Sequence, residues 1–166
     1  MYKVKKSKVH GSGVFAEKKI NINTKVIQYI GEKILKSEGD KRSGKRISKY
    51  LHSEDHGSVY IFELNSKYDI DGTPNYNKAK YINHSCNPNC EVEISRGEIW
   101  IRSIKKIKKG EELSYDYGFE FDKDDYTDHV CKCSSKNCIG YIISQDDYTK
   151  YKKYLEKKIK LLSKIC

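Results

Sequence analysis

Three cysteines crowd into Cys131-Lys132-Cys133-Ser134-Ser135-Lys136-Asn137-Cys138, with Gly140 just beyond. A Cys-x-Cys-x₄-Cys run offers three soft thiolates from a loop too tight for ordinary pairing, and thiolates are favoured zinc ligands. A structural zinc takes four ligands. The remaining thiols are Cys86, Cys90 and Cys166, and two of them lie in Asn83-His84-Ser85-Cys86-Asn87-Pro88-Asn89-Cys90. A metal would therefore tie the C-terminal part of the chain back to its middle. No secretory signal opens the sequence; Met1-Tyr2-Lys3-Val4-Lys5-Lys6 leads directly into strand-like residues. Reduced thiols, and metal rather than disulfides, are the expectation.

The elements that would position these groups read as short strands. Val4 to Phe15 is extended sequence broken by Gly11-Ser12-Gly13, where glycine permits a tight turn. Lys25 to Ile30 is a β-branched and aromatic run ending at Gly31. Val59–Leu64 and Tyr68–Gly72 form one hairpin pair. Glu91–Ile94 and Glu98–Ile104 form another, turning at Arg96-Gly97. Residues 36–58 are polar and mixed, an insertion with partial helix. Asn77–Ile82 holds one or two helical turns, Lys109–Glu112 is a turn, and residues 119–130 are an acidic loop. From Asp146 to Lys164, apolar residues at Tyr148, Tyr151, Tyr154, Leu155, Ile159 and Leu162 follow helical spacing.

At 166 residues the chain is one domain with a modest core. Its 37% hydrophobic residues are too rich in Ile, Val, Tyr and Leu for disorder. No apolar run reaches the roughly 20 residues needed to span a bilayer. The net charge of +10 (33 basic against 23 acidic residues) comes mostly from Lys scattered along the chain. Nucleic acid or nucleosome contact thus rests on charge alone.

Four segments then line up in order: His10-Gly11-Ser12-Gly13-Val14-Phe15; Tyr81-Ile82 followed by the Asn83–Cys90 string; Gly110-Glu111-Glu112-Leu113-Ser114-Tyr115-Asp116-Tyr117-Gly118; and the cysteine loop. Together they closely resemble the SET-domain protein lysine methyltransferases with a post-SET zinc segment, of trithorax-like type, over about residues 4–143. The resemblance implies a mainly β fold, with small sheets around a knot-like C-terminal crossing and few short helices. It implies a SET domain at 4–119 with an insertion at about 36–58, a post-SET segment at 120–143, and a basic C-terminal helix at 144–166.

The activity implied is S-adenosylmethionine-dependent N-methylation of a protein lysine. Cofactor and peptide would enter from opposite faces. Tyr117 matches the catalytic tyrosine, Tyr115 a position governing how many methyl groups are added, and Tyr29 a channel tyrosine. Tyr115 implies mono- or mono- and dimethylation. Gly11, Ser12, Gly13, Val14, Tyr60, Asn83, His84 and Tyr117 match cofactor positions. One structural Zn²⁺ would be held by Cys86, Cys131, Cys133 and Cys138, leaving Cys90 a buried thiol and Cys166 a free one. Lys80 stands where many relatives carry Arg.

The default substrate is a histone tail, histone H3 first, with a non-histone protein as the alternative. A non-catalytic zinc-containing peptide-binding module is the competing reading. Glu120, Asp122, Asp124, Asp125 and Asp128 form an acidic patch suited to a basic peptide. The C-terminal helix packs on the domain, pairs with another copy as a homodimer, or touches nucleic acid. The location implied is nuclear in a eukaryote, and cytoplasmic or host-nuclear for a bacterial or viral chain, with no membrane partner.

Overall fold

A computed structural model describes residues 1–50 and 59–163. Among the described residues the strand-forming runs do form strands, and these are divided among four small sheets. In chain order the first half carries β1 (Tyr2–Lys6), β2 (Ser12–Ala16), β3 (Lys25–Tyr29), β4 (Glu32–Leu35), α1 (Lys36–Tyr50), β5 (Ile61–Glu63) and β6 (Tyr68–Asp71). A 3₁₀ turn at Lys78–Tyr81 leads to β7 (Asn83–His84), β8 (Cys90–Ser95), β9 (Glu98–Ser103) and β10 (Ser114–Tyr115). After two further 3₁₀ turns the chain ends in α2 (Tyr148–Leu162).

β1 and β2 form an antiparallel hairpin with Val4 opposite Val14, and Gly11 turns it at φ +45. β3, β9 and β8 form one sheet; β4, β6 and β5 form a second. The β8–β9 turn falls at Arg96-Gly97, both at positive φ, the conformation that two-residue hairpins favour. β4 and the two-residue strand β7 have no counterpart in the sequence pattern, whereas β10 falls in the strand expected at Tyr115. Glu32–Leu35 is short and mostly exposed, and β7 and β10 pair with each other rather than with a chain neighbour.

The polar insertion starts as α1, which carboxylates of the neighbouring sheet fasten, Asp71 chief among them. Arg42 and Arg46 both reach Asp71 Oδ2 at 2.9 Å, and Arg42 also bonds Glu32 and Glu38. Burial alone would raise the Asp71 carboxyl. Hydrogen bonds from Arg46, Thr73 and Arg42 outweigh that effect and hold it far below the usual carboxylate range. The rest of the insertion, 51–58, and Cys166 lie outside the described residues.

The main core gathers Val14, Ile20, Ile82, Ile99, Ile101, Ile107 and Leu113. A second cluster, Phe121, Tyr126, Ile143 and Tyr151, seats α2 on the acidic segment. The Tyr151 ring meets Phe121 at 5.4 Å and Tyr126 at 5.5 Å. The helix therefore packs on its own domain through its first half, while Ile159, Leu161 and Leu162 are exposed. Among the described residues no helix is long and apolar enough to cross a membrane.

Candidate functional site

The site is built around the parallel pair β7–β10, with Ser114 opposite Asn83 and Tyr115 opposite His84. Side chains two apart along a strand share a face, which places the Tyr115 and Tyr117 rings 5.1 Å apart. Phe62 continues the line 6.3 Å from Tyr115, and Tyr29 lies 5.2 Å beyond Phe62. On the other side Phe119 packs 5.9 Å from Tyr117 and meets His129. The result is an aromatic row drawn from four separate parts of the chain.

Two tyrosines in this row, Tyr29 and Tyr117, are fixed by hydrogen bonds. The Tyr29 hydroxyl donates to the Tyr60 carbonyl at 2.8 Å. Gly72 backs the same ring so closely that a Cβ there would lie 2.4 Å from Tyr29 Oη. The Tyr117 hydroxyl donates to the Ile82 carbonyl at 3.0 Å, and its backbone N–H donates to His84 Nδ1 at 3.2 Å. Burial raises the pKa of all three hydroxyls, so Tyr29, Tyr115 and Tyr117 stay protonated at neutral pH.

Beside Tyr117 opens a cleft of about 250 Å³ lined by Asn83, His84, Ser85, Glu112, Ser114 and Cys133, among others. Asn83 Nδ2 faces Glu112 Oε1 at 2.8 Å and the Ser12 carbonyl at 3.1 Å. Ser7 Oγ donates to the same Glu112 oxygen at 2.8 Å. A Cβ on Gly13 would fall 2.3 Å from that oxygen, so any other residue there would push the Glu112 carboxylate aside. Burial lowers the His84 pKa against the opposing charge of Asp116. The ring is therefore neutral, and because Nδ1 accepts from Tyr117, its hydrogen sits on Nε2.

The four cysteines Cys86, Cys131, Cys133 and Cys138 present sulfurs all within 4.8 Å of one another. Cys86 Sγ lies 3.8 Å from Cys131 Sγ and 3.9 Å from Cys138 Sγ. Zn–S bonds of about 2.3 Å in a tetrahedron imply sulfur separations of about 3.8 Å. The donor set thus fits a tetrahedral zinc. Backbone N–H groups of Cys86 and Gly140 point at Cys133 and Cys138 sulfurs, as they do toward thiolates. Cys90 sits in the core of β8 away from this cluster, its thiol pushed up to about 12 by burial.

A family model described as SET domain matches residues 11–118. The chain belongs to the SET-domain family. Among curated relatives, human histone-lysine N-methyltransferase 2D is 39% identical over 137 residues, covering 80% of this chain and 2% of that protein. The histone-lysine N-methyltransferase, H3 lysine-4 specific, of Aspergillus oryzae is 36% identical over 141 residues, 82% of this chain and 11% of that protein. The protein of the same name in Saccharomyces cerevisiae is 33% identical over 141 residues, 82% of this chain and 13% of that protein. The chain thus spans a small fraction of the length of these relatives.

The SET-domain match ends just after Tyr117, so the cysteine loop and α2 lie beyond it. Of the residues read from sequence, Asn83 and His84 line the cleft, Ser12 and Gly13 adjoin it through Asn83 and Glu112, and Tyr117 through its bond to His84. Tyr29 and Tyr115 stand in the aromatic row. Val14 goes to the core, fully buried, with its carbonyl taken by Leu113 N–H. Tyr60 enters through its carbonyl, which anchors Tyr29, while Lys80 sits 5.2 Å over its ring. The Lys80 ammonium is used locally, donating to the Thr73 carbonyl at 2.6 Å. Glu112, Phe62 and Phe119 escaped the sequence reading. Glu112 reads from sequence as part of a turn, and nothing in its own sequence signals the Asn83 contact.

Proposed function

We propose that this SET domain transfers a methyl group from S-adenosylmethionine to a lysine amine of a histone tail. Tyr117 carries the proposal. Its backbone is bonded to His84 at the cleft, and its ring belongs to the aromatic row, so one residue is shared by the two sides where cofactor and substrate would meet. In this reading Asn83, His84 and the Gly11–Gly13 turn hold the cofactor. When bound, S-adenosylmethionine supplies an electrophilic methyl group.

The chain supplies the rest. A free lysine amine has a pKa of about 10.4. Enclosure by Phe62, Tyr115 and Tyr117 lowers it by desolvation, and the ring faces attract the ammonium as it enters. The tyrosine hydroxyls are protonated, so none serves as a base at neutral pH, and the proton leaves to water. Tyr117, fixed at both its backbone and its hydroxyl, holds the amine in line with the methyl group, which is where alignment lowers the barrier. Tyr115 at the row's centre limits addition to one or two methyl groups. Cys86, Cys131, Cys133 and Cys138 would hold one zinc with no open position, a structural role.

The relatives' printed names make lysine-4 of histone H3 the first target to examine. The exposed acids of the 120–128 segment, close to Phe119, favour a basic peptide. A nuclear site of action follows from such a substrate. The test is incubation with mixed core histones and labelled cofactor, followed by site mapping. Label on the H3 tail supports the proposal; label only on non-histone protein, or none at all, refutes it.

A further inference from the structure

Cys86 Sγ is a meeting point for more than its three partner sulfurs. His84 Nε2 lies 3.6 Å from it. Because the other ring nitrogen accepts the Tyr117 N–H, the hydrogen of the ring sits on Nε2 and is aimed at this sulfur. Tyr148, the first residue of α2, also sets its hydroxyl against this cysteine. That hydroxyl is fully enclosed and has no partner of ordinary hydrogen-bond geometry among the described residues. A buried hydroxyl without an acceptor is costly. A neutral thiol accepts poorly, whereas a metal-bound thiolate carries the negative charge that makes a strong acceptor.

We propose that His84 and Tyr148 are outer-sphere donors to the metal-bound Cys86 thiolate. The inference rests on the zinc reading above. His84 then links the metal to the Tyr117 backbone, and Tyr148 links it to α2, so one sulfur registers both against the metal. Both are positioning residues. Around the same residue, Asn137 and Gln145 side chains donate to the Cys86 carbonyl at 3.1 and 3.3 Å, and the Ile139 backbone N–H also serves its sulfur.

The test compares the wild-type chain with Tyr148→Phe, His84→Phe and a control, Gln145→Ala, which removes a contact to the Cys86 carbonyl only. Zinc affinity is measured by competition with a chromophoric chelator, and the thiolate-to-metal charge-transfer band is recorded in the cobalt-substituted protein. Loss of an outer-sphere donor weakens metal binding about 10–100-fold. It also raises the energy of the sulfur lone pair, so the band should move to lower energy in both Phe variants and stay in place in the control. Packing loss alone would not shift the band. Tyr148→Phe keeps the ring, so it decides the matter even if His84→Phe does not fold. Full metal occupancy with unchanged band and affinity in Tyr148→Phe overturns the inference and leaves the zinc reading standing. A wild-type chain that binds no metal overturns both.

Discussion

Gly72→Ala should disable the proposed methyl transfer by displacing the Tyr29 ring that Gly72 backs. The new Cβ would lie 2.4 Å from both Tyr29 Cε1 and Tyr29 Oη, and 2.4 Å from Asn77 Nδ2. Ordinary contact begins at about 3.5 Å, so something must retreat by about 1 Å. The backbone of Gly72 is pinned by its N–H to the Tyr60 carbonyl at 2.7 Å and by Asn77 on its carbonyl at 2.9 Å. Asn77 and Tyr29 are both buried, but Tyr29 carries two of the three closest atoms, so its ring takes most of the displacement. Overpacking of this kind costs about 1–3 kcal/mol of stability. A displacement of about 1 Å in a group that lines the reacting channel can cost about 100-fold in rate. Single-turnover methylation of a peptide substrate, with thermal melts on the same samples, separates the two effects. Gly44→Ala is the control: nothing lies within 4 Å of its added methyl, and it should keep its rate while α1 gains up to about 1 kcal/mol. A lowered melting temperature with a single-turnover rate within twofold of wild type would refute the reasoning, because Tyr29 would then have moved without consequence for the channel.

Tyr115→Phe should shift the product toward di- and trimethyl-lysine, read by mass spectrometry of the peptide; an unchanged methylation state would remove Tyr115 from that role. Chelation should release one zinc per chain and abolish transfer, while the circular dichroism of the β-sheets is largely kept; loss of the whole fold would contradict a metal confined to the C-terminal closure. Asp71→Asn leaves Arg42 and Arg46 without their shared partner and should cost about 2–3 kcal/mol at pH 7, the range for hydrogen bonds to charged groups. Because the native carboxyl is depressed, its contribution is complete above the unfolded value of about 3.9. It fades as pH falls toward the native one, so the gap between variant and wild type in denaturant titrations should narrow below about pH 4.

Much of this arrangement was legible in the sequence because its signals are local. The Arg96-Gly97 turn, the Lys25–Tyr29 strand and the C-terminal helix each follow from a few neighbouring residues. The cysteine spacing announced a metal loop, though choosing Cys86 over Cys90 took the surrounding motif string. The structure separates them by placing one thiol in the sulfur cluster and the other in the core. What could not be read is long-range. Phe62 and Tyr115 meet from different sheets, and Glu112 reaches Asn83 and Ser7 only after the chain has closed on itself. A two-residue strand such as β7 carries no periodicity at all, and the insertion helix is defined by partners on another sheet.

Residues 14–20 pair with residues 107–113 through the Phe15–Glu112 and Ile20–Ile107 bridges, and Ser7 bonds Glu112 across 105 positions. Such distant pairing makes for slow folding, and it sets an order for biosynthesis. As the chain leaves the ribosome, β2 lacks the partners for one of its edges until residues 107–113 have been made. An open strand edge invites association with other chains. Nascent chains stalled before residue 107 should therefore be held by chaperones or clump together, and the cleft cannot exist before the segment that closes it has emerged.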